Sequence, residues 1–193
     1  MFESVTERQA AQLLHLYLSE NDPLTGLYNR HRFAIELSRL LAGAARHGRQ
    51  MGVVLIDVDA FAPFSERYGH DAGNEVLVTV ARAVGAVIRR DELFFCIGRD
   101  EFAVLVPDVC EEEVAGLARR LRQQVDGLSF EFGGDSGDGG ELVAISASIG
   151  VALYPLHALN ADDLLQCARA AVLAVKDHGA RGWGFYEPPK PAL

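Results

Sequence analysis

The sequence is short of positive charge, of cysteine and of long apolar runs. Its 193 residues carry 27 acidic side chains against 18 lysines and arginines, for a net charge of -9. A partner held by its polyphosphate backbone needs a basic face, so this balance argues against a nucleic-acid polymer. A small nucleotide carried with a metal ion stays compatible with it.

The three cysteines, Cys96, Cys110 and Cys167, are odd in number and far apart. They predict neither a disulfide framework nor a metal-ligand cluster, and they fit a reducing cytoplasm. A run of about 18 apolar residues is missing, and so is the basic-then-apolar order of a signal peptide. We therefore expect a cytoplasmic segment without membrane contact, with any upstream sensor or receiver module in a longer parent chain.

Length and composition predict a single core. At 193 residues, 49% of them hydrophobic, the chain is long enough for one domain and short for two. We expect a connector helix over residues 1–20, a globular domain over 21–187 and a disordered tail over 188–193. The amphipathic N-terminal helix leaves two interpretations open: it packs on its own domain, or it ends a connector from an upstream module.

Hydrophobic periodicity predicts alternating strands and helices. The predicted helices cover residues 32–45, 61–68, 74–89, 111–125 and 161–177, and the predicted strands cover 52–59, 93–97, 102–106, 128–132, 142–152 and 183–186. The tight hairpin in the middle is expected to reverse at Gly98 with a positive φ.

The core order of strand, helix, strand, strand, helix, strand is the split βαβ pattern of ferredoxin-like folds. We therefore expect an α+β sandwich, with a central antiparallel sheet flanked by helices. In this arrangement the third strand lies between the first and the second, antiparallel to both. The end of the first strand then lies beside the hairpin tip.

Acidic side chains occupy both of these places. Asp57 and Asp59 end the first strand, and Asp100 and Glu101 follow at the tip, where Arg99 is the only basic neighbour we expect. The tip alone is compatible with a solvated charged turn. Convergence of the four acids favours a metal and nucleotide-phosphate site, because Mg²⁺ takes a few carboxylate oxygens and completes its shell with phosphates and water.

Five motifs together resemble the GGDEF family of diguanylate cyclases, across residues 21–186. They are DPLTGLYNR at 22–30, IDVDAF at 56–61, YGHDAG at 68–73, GRDEF at 98–102 and SIGVA at 148–152. The resemblance implies the fold of nucleotide cyclase palm domains. It also implies a homodimer in which two facing subunits condense two GTP molecules into cyclic di-GMP.

Site residues follow from the same resemblance. Asp57, the carbonyl of Val58 and Asp100 would bind Mg²⁺ or Mn²⁺ at the phosphates of GTP. Glu101 would be a supporting catalytic acid, and Lys176 would contact the terminal phosphates. The metal would neutralise charge and help to activate the attacking hydroxyl.

Several residues depart from the family pattern. Arg99 follows Gly98 where the signature has a second glycine, and its long side chain would crowd the nucleotide. Ser65 and Asn74 stand where the family reads guanine with an asparagine and an aspartate, so charge-assisted bonds to the base are lost. Three positions expected to be basic are also changed, to Ala62, Cys96 and Ala180.

An inhibitory cyclic di-GMP site is the other feature that the resemblance implies. Arg89, Arg90 and Glu92 match its Arg-x-x-Asp motif, with glutamate in place of aspartate. Arginine can still grip a phosphate or stack on guanine. The alternative interpretation is that these charges cap the C-terminus of the preceding helix.

The sequence thus predicts a GGDEF domain of cyclic di-GMP signalling with a degenerate catalytic site. It would act as a regulatory module that binds a nucleotide or cyclic di-GMP. The alternatives are an active diguanylate cyclase and a purely structural dimerisation module.

Overall fold

The computed structural model describes residues 17–132 and 141–188. Most of the predicted connector helix and tail lies outside these residues, although residues 17–20 are helical. The helices are α1 (Arg30–His47), α2 (Phe61–Tyr68), α3 (His70–Gly85), α4 (Glu111–Asp126) and α5 (Ala161–Asp177). The strands are β1 (Met51–Val58), β2 (Leu93–Cys96), β3 (Glu101–Pro107), β4 (Ser129–Phe132), β5 (Glu141–Ala144), β6 (Ala147–Tyr154) and β7 (Trp183–Phe185).

The central sheet has the strand order β2-β3-β1-β6-β7. β3 lies between β2 and β1 and is antiparallel to both, and β7 adds a parallel strand at the edge beside β6. The predicted ferredoxin-like βαββαβ core and the predicted edge strand are confirmed. None of the described helices is long and apolar enough to cross a membrane.

The sheet buries a different set of side chains on each face, because successive strand residues point to opposite sides. Val54 and Ile56 of β1 pack towards α2, α3 and α4, while Val53 and Leu55 pack towards α1 and α5. The same alternation directs Asp57 to the face covered by α5.

The predicted bounds of one strand and one helix were wrong. The strand predicted over residues 142–152 is two strands: β5 pairs with β4 in a separate two-stranded sheet, and β6 pairs with β1. The helix predicted over residues 74–89 starts earlier, directly after Gly69, whose φ is 93°. It ends at Gly85, a residue that disfavours helix, and the Arg89 N–H beyond it bonds to a side chain.

Gly150 of β6 permits a very close approach of α5 to the sheet. A Cβ at this position would overlap the Ala168 carbonyl oxygen and lie 2.5 Å from the Val172 nitrogen. Helix α5 can therefore lie directly on the sheet only because residue 150 has no side chain.

Gly150→Ala is expected to lower the free energy of unfolding by about 1–3 kcal/mol or more, because backbone atoms would have to move. Gly43→Ala, inside α1 with no neighbour within 4 Å of the added carbon, is the matched control. It should stabilise the chain by up to about 1 kcal/mol through helix propensity. Urea unfolding of both variants measures the difference, and equal effects would contradict this account of the packing.

Candidate active site

The end of β1 and the β2–β3 turn meet at one edge of the sheet. Asp57 is paired directly with Glu101 across β1 and β3. The Val58 N–H donates a hydrogen bond of 3.1 Å to the Asp100 carbonyl oxygen. The structure thus brings together Asp57, Val58, Asp100 and Glu101, a group we call the acid rim.

Asp57 carries an unfavourable charge in this position. Burial raises its pKa above the ordinary 3.8, and the negative charges of Asp100 and Glu101 act in the same direction. Lys176 of α5 opposes these effects, with its Nζ 2.5 Å from Asp57 Oδ1. The raised pKa indicates that one lysine does not fully compensate the acid rim.

Asp59 does not join the acid rim, contrary to prediction. Its carboxylate accepts hydrogen bonds of 2.7 Å from the hydroxyls of Ser146 and Ser148 and one of 3.2 Å from the Arg181 N–H. The chain leaves β1 at Val58, which turns Asp59 towards β6. Asp59 therefore joins β1 to β6 and to the segment after α5.

Replacement by asparagine is expected to change stability in opposite directions at Asp57 and Asp59. The raised pKa of Asp57 means that its ionisation lowers stability as pH rises from 3.8 through the raised value. Asp57→Asn should therefore raise the melting temperature at pH 7, with the gain vanishing below pH 3.8. Asp59→Asn should cost about 1–3 kcal/mol by weakening charged hydrogen bonds.

Thermal unfolding of both variants from pH 3 to pH 8 measures this contrast. A stabilising Asp59→Asn, or an Asp57→Asn variant that is less stable than the native chain at pH 7, would reverse the two assignments.

The expectation that Arg99 is the only cation near the tip is wrong. Besides Lys176, α5 supplies Arg169, whose Nε and Nη2 lie 3.3 and 3.2 Å from the two carboxylate oxygens of Glu101. Arg169 and Lys176 are seven residues apart, which places them two turns apart on one helix face. That spacing was the available signal, but only the packing of α5 shows which acids it serves.

A cavity of about 210 Å³ lies between the start of α3 and the β2–β3 turn. It brings together four of the predicted nucleotide-binding residues, Ser65, Asn74, Gly98 and Arg99. Its lining is Asp22, Leu24, Thr25, Phe61, Ser65, His70, Asn74, Leu77, Cys96, Gly98 and Arg99. Lys176, the fifth predicted residue, contacts Asp57 instead.

His70 links two residues of this cavity. Its Nδ1 lies 3.3 Å from the hydroxyl of buried Ser65 and 3.5 Å from Arg99 Nη2. Cys96, beside them, donates to the Gly98 carbonyl, and burial raises the pKa of its thiol to about 11. The polar groups of the cavity include the Arg99 guanidinium, the Ser65 hydroxyl and the Asn74 amide. Its one carboxylate, Asp22, bonds to Thr25.

Gly98 does not have the positive φ predicted for it. The reversal uses four residues, 97–100, and the N–H groups of Ile97 and Gly98 both donate to the Glu101 carbonyl. Glycine is needed here for a different reason, since a Cβ would lie 3.0 Å from Glu101 Cβ. Its small size leaves room for the Glu101 side chain.

The predicted inhibitory residues lie in the segment before β2. Glu92 is buried, and its carboxylate accepts a 2.7 Å hydrogen bond from the Arg89 backbone N–H. Arg89 and Arg90 are exposed. Because α3 ends at Gly85, these arginines lie past the helix terminus, and the helix-capping interpretation is not supported.

The architecture defines the class: a palm-type sheet with an acid rim at the end of its first strand and a polar cavity beside it. The sequence matches the family described as diguanylate cyclase, GGDEF domain, over residues 19–182. The chain belongs to the GGDEF domain family of bacterial cyclic di-GMP signalling, whose members include diguanylate cyclases.

Curated relatives are similar to most of this chain. It is 37% identical to diguanylate cyclase TpbB of Pseudomonas aeruginosa (strain UCBPP-PA14) over 85% of this chain and 36% of that protein. It is 32% identical to the probable diguanylate cyclase DgcT of Escherichia coli (strain K12), over 84% and 34% respectively. The chain spans about a third of the length of these relatives.

Solved structures share the fold. The GGDEF domain of DgcB from Caulobacter crescentus, in complex with c-di-GMP, superposes with a TM-score of 0.79 at 28% identity, covering 88% of this chain and 94% of that one. Diguanylate cyclase SiaD from Pseudomonas aeruginosa, in complex with its activator SiaC, gives 0.78 at 30% identity, covering 92% and 67%.

Proposed function

We propose that this domain binds a nucleoside triphosphate with a divalent cation and acts as a regulatory module in cyclic di-GMP signalling, with cyclase activity lost. The carrying observation is the contrast between its two ends. The acid rim presents Asp57 and Asp100 with Lys176 beside it, whereas the adjacent cavity holds Ser65 and Asn74 at the positions that would read guanine. The acid rim, which would hold the phosphates and is called the phosphate end, suits GTP. The cavity with Ser65 and Asn74, which would hold the base and is called the base end, does not.

The acid rim has suitable donors for Mg²⁺ or Mn²⁺. Asp57 and Asp100 would hold the ion together with the Val58 carbonyl, and the raised pKa of Asp57 favours an added positive charge. In the described residues no three His, Cys, Asp or Glu side chains are grouped to hold a metal. Mg²⁺ fits such a sparse set, because it commonly takes one or two carboxylates and completes its shell with phosphate and water.

The metal would supply charge neutralisation at the phosphates. Asp57 and Asp100 would hold it, and Lys176, no longer needed to pair with Asp57, would contact a terminal phosphate. Glu101 stays bound to Arg169 as a supporting acid. These groups would hold and orient a triphosphate without any contact to its base.

The base end is weakened by specific chemistry. A carboxylate can accept two hydrogen bonds from the N–H groups on the guanine edge. The amide of Asn74 has only one acceptor oxygen, and its NH₂ group, itself a donor, would face a second donor of the base. Ser65 is short and already contacts His70. Arg99 occupies the same cavity, and Ala62, Cys96 and Ala180 add no charge for phosphate. Each lost polar contact costs about 1–3 kcal/mol of binding.

This proposal is tested by incubating the purified chain with GTP and Mg²⁺ and identifying the products. We expect GTP to be recovered unchanged over hours at micromolar protein, with cyclic di-GMP below detection by liquid chromatography. TpbB assayed in parallel provides the positive control. Appreciable cyclic di-GMP that disappears with Asp100→Asn would establish an active cyclase and overturn the loss of catalysis.

An active cyclase is the second candidate, and the intact acid rim favours it. In that case two subunits would have to face each other, each presenting one GTP. The rate per chain would then rise with protein concentration, as dimer formation requires. A third candidate, a structural dimerisation module, would bind neither GTP nor cyclic di-GMP in calorimetry.

Restoring the base end should improve GTP binding. Arg99→Gly combined with Ser65→Asn removes the crowding guanidinium and adds an amide, so we expect GTP affinity to rise about tenfold or more at 1–2 kcal/mol per restored contact. Calorimetry with Mg²⁺ and GTP measures this, with Arg46→Gln, at an exposed arginine of α1, as the control for loss of one surface charge. Unchanged affinity would mean that the nucleotide does not occupy this cavity.

Cyclic di-GMP is the ligand we propose for the segment before β2. The exposed guanidinium groups of Arg89 and Arg90 would contact its phosphates or bases, while Glu92 keeps the turn in shape through the Arg89 N–H. In a longer parent chain this segment would report the signal to an upstream sensor or receiver module in the cytoplasm.

A further inference from the structure

Glu101 is held by a two-point contact with Arg169. The guanidinium reaches both carboxylate oxygens, with Nε 3.3 Å from Oε1 and Nη2 3.2 Å from Oε2. A planar guanidinium facing a carboxylate in this way fixes the orientation of the acid as well as its charge. Lys176 makes only a single-point contact with Asp57.

Without Arg169, Glu101 would be free to act as an additional ligand for a cation at the acid rim. Asp57 and Glu101 are directly opposed on adjacent strands, so their side chains leave the same face of the sheet about 5 Å apart at Cβ. The charge of Glu101 already contributes to the raised pKa of Asp57.

The two basic residues of α5 therefore differ in what a bound cation would do to them. A metal ion at Asp57 would replace Lys176 as the partner of that carboxylate, because Lys176 makes a single contact that is readily exchanged. It would have to break two contacts to recruit Glu101 from Arg169. The side chains of Arg169 and Glu101 are partly buried, at 32% and 21% exposure.

We propose that Arg169 is a positioning residue that keeps Glu101 out of the coordination shell of the divalent cation. This rests on the metal site of the proposed function. The cation is thereby left with two carboxylates and a carbonyl, and its affinity stays low until phosphates complete the shell. Arg169 thus makes metal binding depend on the nucleotide.

Mn²⁺ alone, titrated into the full chain and followed by electron paramagnetic resonance, tests this inference. Arg169→Gln should bind Mn²⁺ about tenfold more tightly, because it frees a third carboxylate ligand. Arg169→Lys, which keeps a cation beside Glu101, should stay near the native affinity. Arg46→Gln, an exposed arginine of α1, is the control for loss of one surface charge.

A double-mutant cycle separates coordination from simple charge. If Glu101 becomes a ligand, the gain from Arg169→Gln is lost when Glu101→Gln is also present. A gain that persists in the double variant, or a folded Arg169→Gln chain that binds Mn²⁺ no more tightly than the native chain, overturns the inference. Circular dichroism confirms that each variant is folded.

The same titration distinguishes this inference from the proposed metal site. If the native chain binds Mn²⁺ in a way that Asp57→Asn abolishes and Arg169→Gln does not strengthen, only the role of Arg169 fails. If neither the native chain nor Arg169→Gln binds Mn²⁺, either alone or with GTP present, the metal site and the inference both fail.

Discussion

Antiparallel pairing of β1 with β3 holds the carboxylates of Asp57 and Glu101 directly opposite each other at the edge of the sheet. Burial raises the pKa of Asp57, and the negative charges of Asp100 and Glu101 act in the same direction. The arrangement therefore needs cations from outside the two strands. Helix α5 provides them through Arg169 and Lys176, and it can do so because Gly150 lets the helix lie against the sheet.

The strand alternation of β1 and β3 divides the candidate site between the two faces of the sheet. Asp57 and Glu101 lie on the α5 face, where cations compensate them. Ser65 and Asn74 lie at the cavity beside α2 and α3, on the other side of the β2–β3 turn. Ser65 and Asn74 stand on α2 and α3, outside the two paired strands that carry Asp57 and Glu101, so changes at these two positions leave that pairing in place. A domain that holds metal and phosphate but reads the base poorly is a physically coherent state of this fold.

The sequence predicted the sheet order, the meeting of β1 with the hairpin and the gathering of Ser65, Asn74 and Arg99. The first two follow from the order of strands and helices, whereas the third was implied by the resemblance to the GGDEF family. It failed for Asp59, whose partners Ser146 and Ser148 lie 87 and 89 residues away. It also failed for Arg169, because a helix face shows its periodicity in the sequence but not which strand edge it will cover.

By itself, the sequence determined the class of fold, because apolar periodicity and turn residues act over a few neighbouring positions. It also determined the chemical types available at the site: acids at a strand end, and a hydroxyl and an amide in the neighbouring cavity. Only the tertiary structure decided which acid meets which cation and which aspartate is structural. Those pairings depend on the close packing of α5 at Gly150, and packing between distant segments leaves no local pattern in the chain.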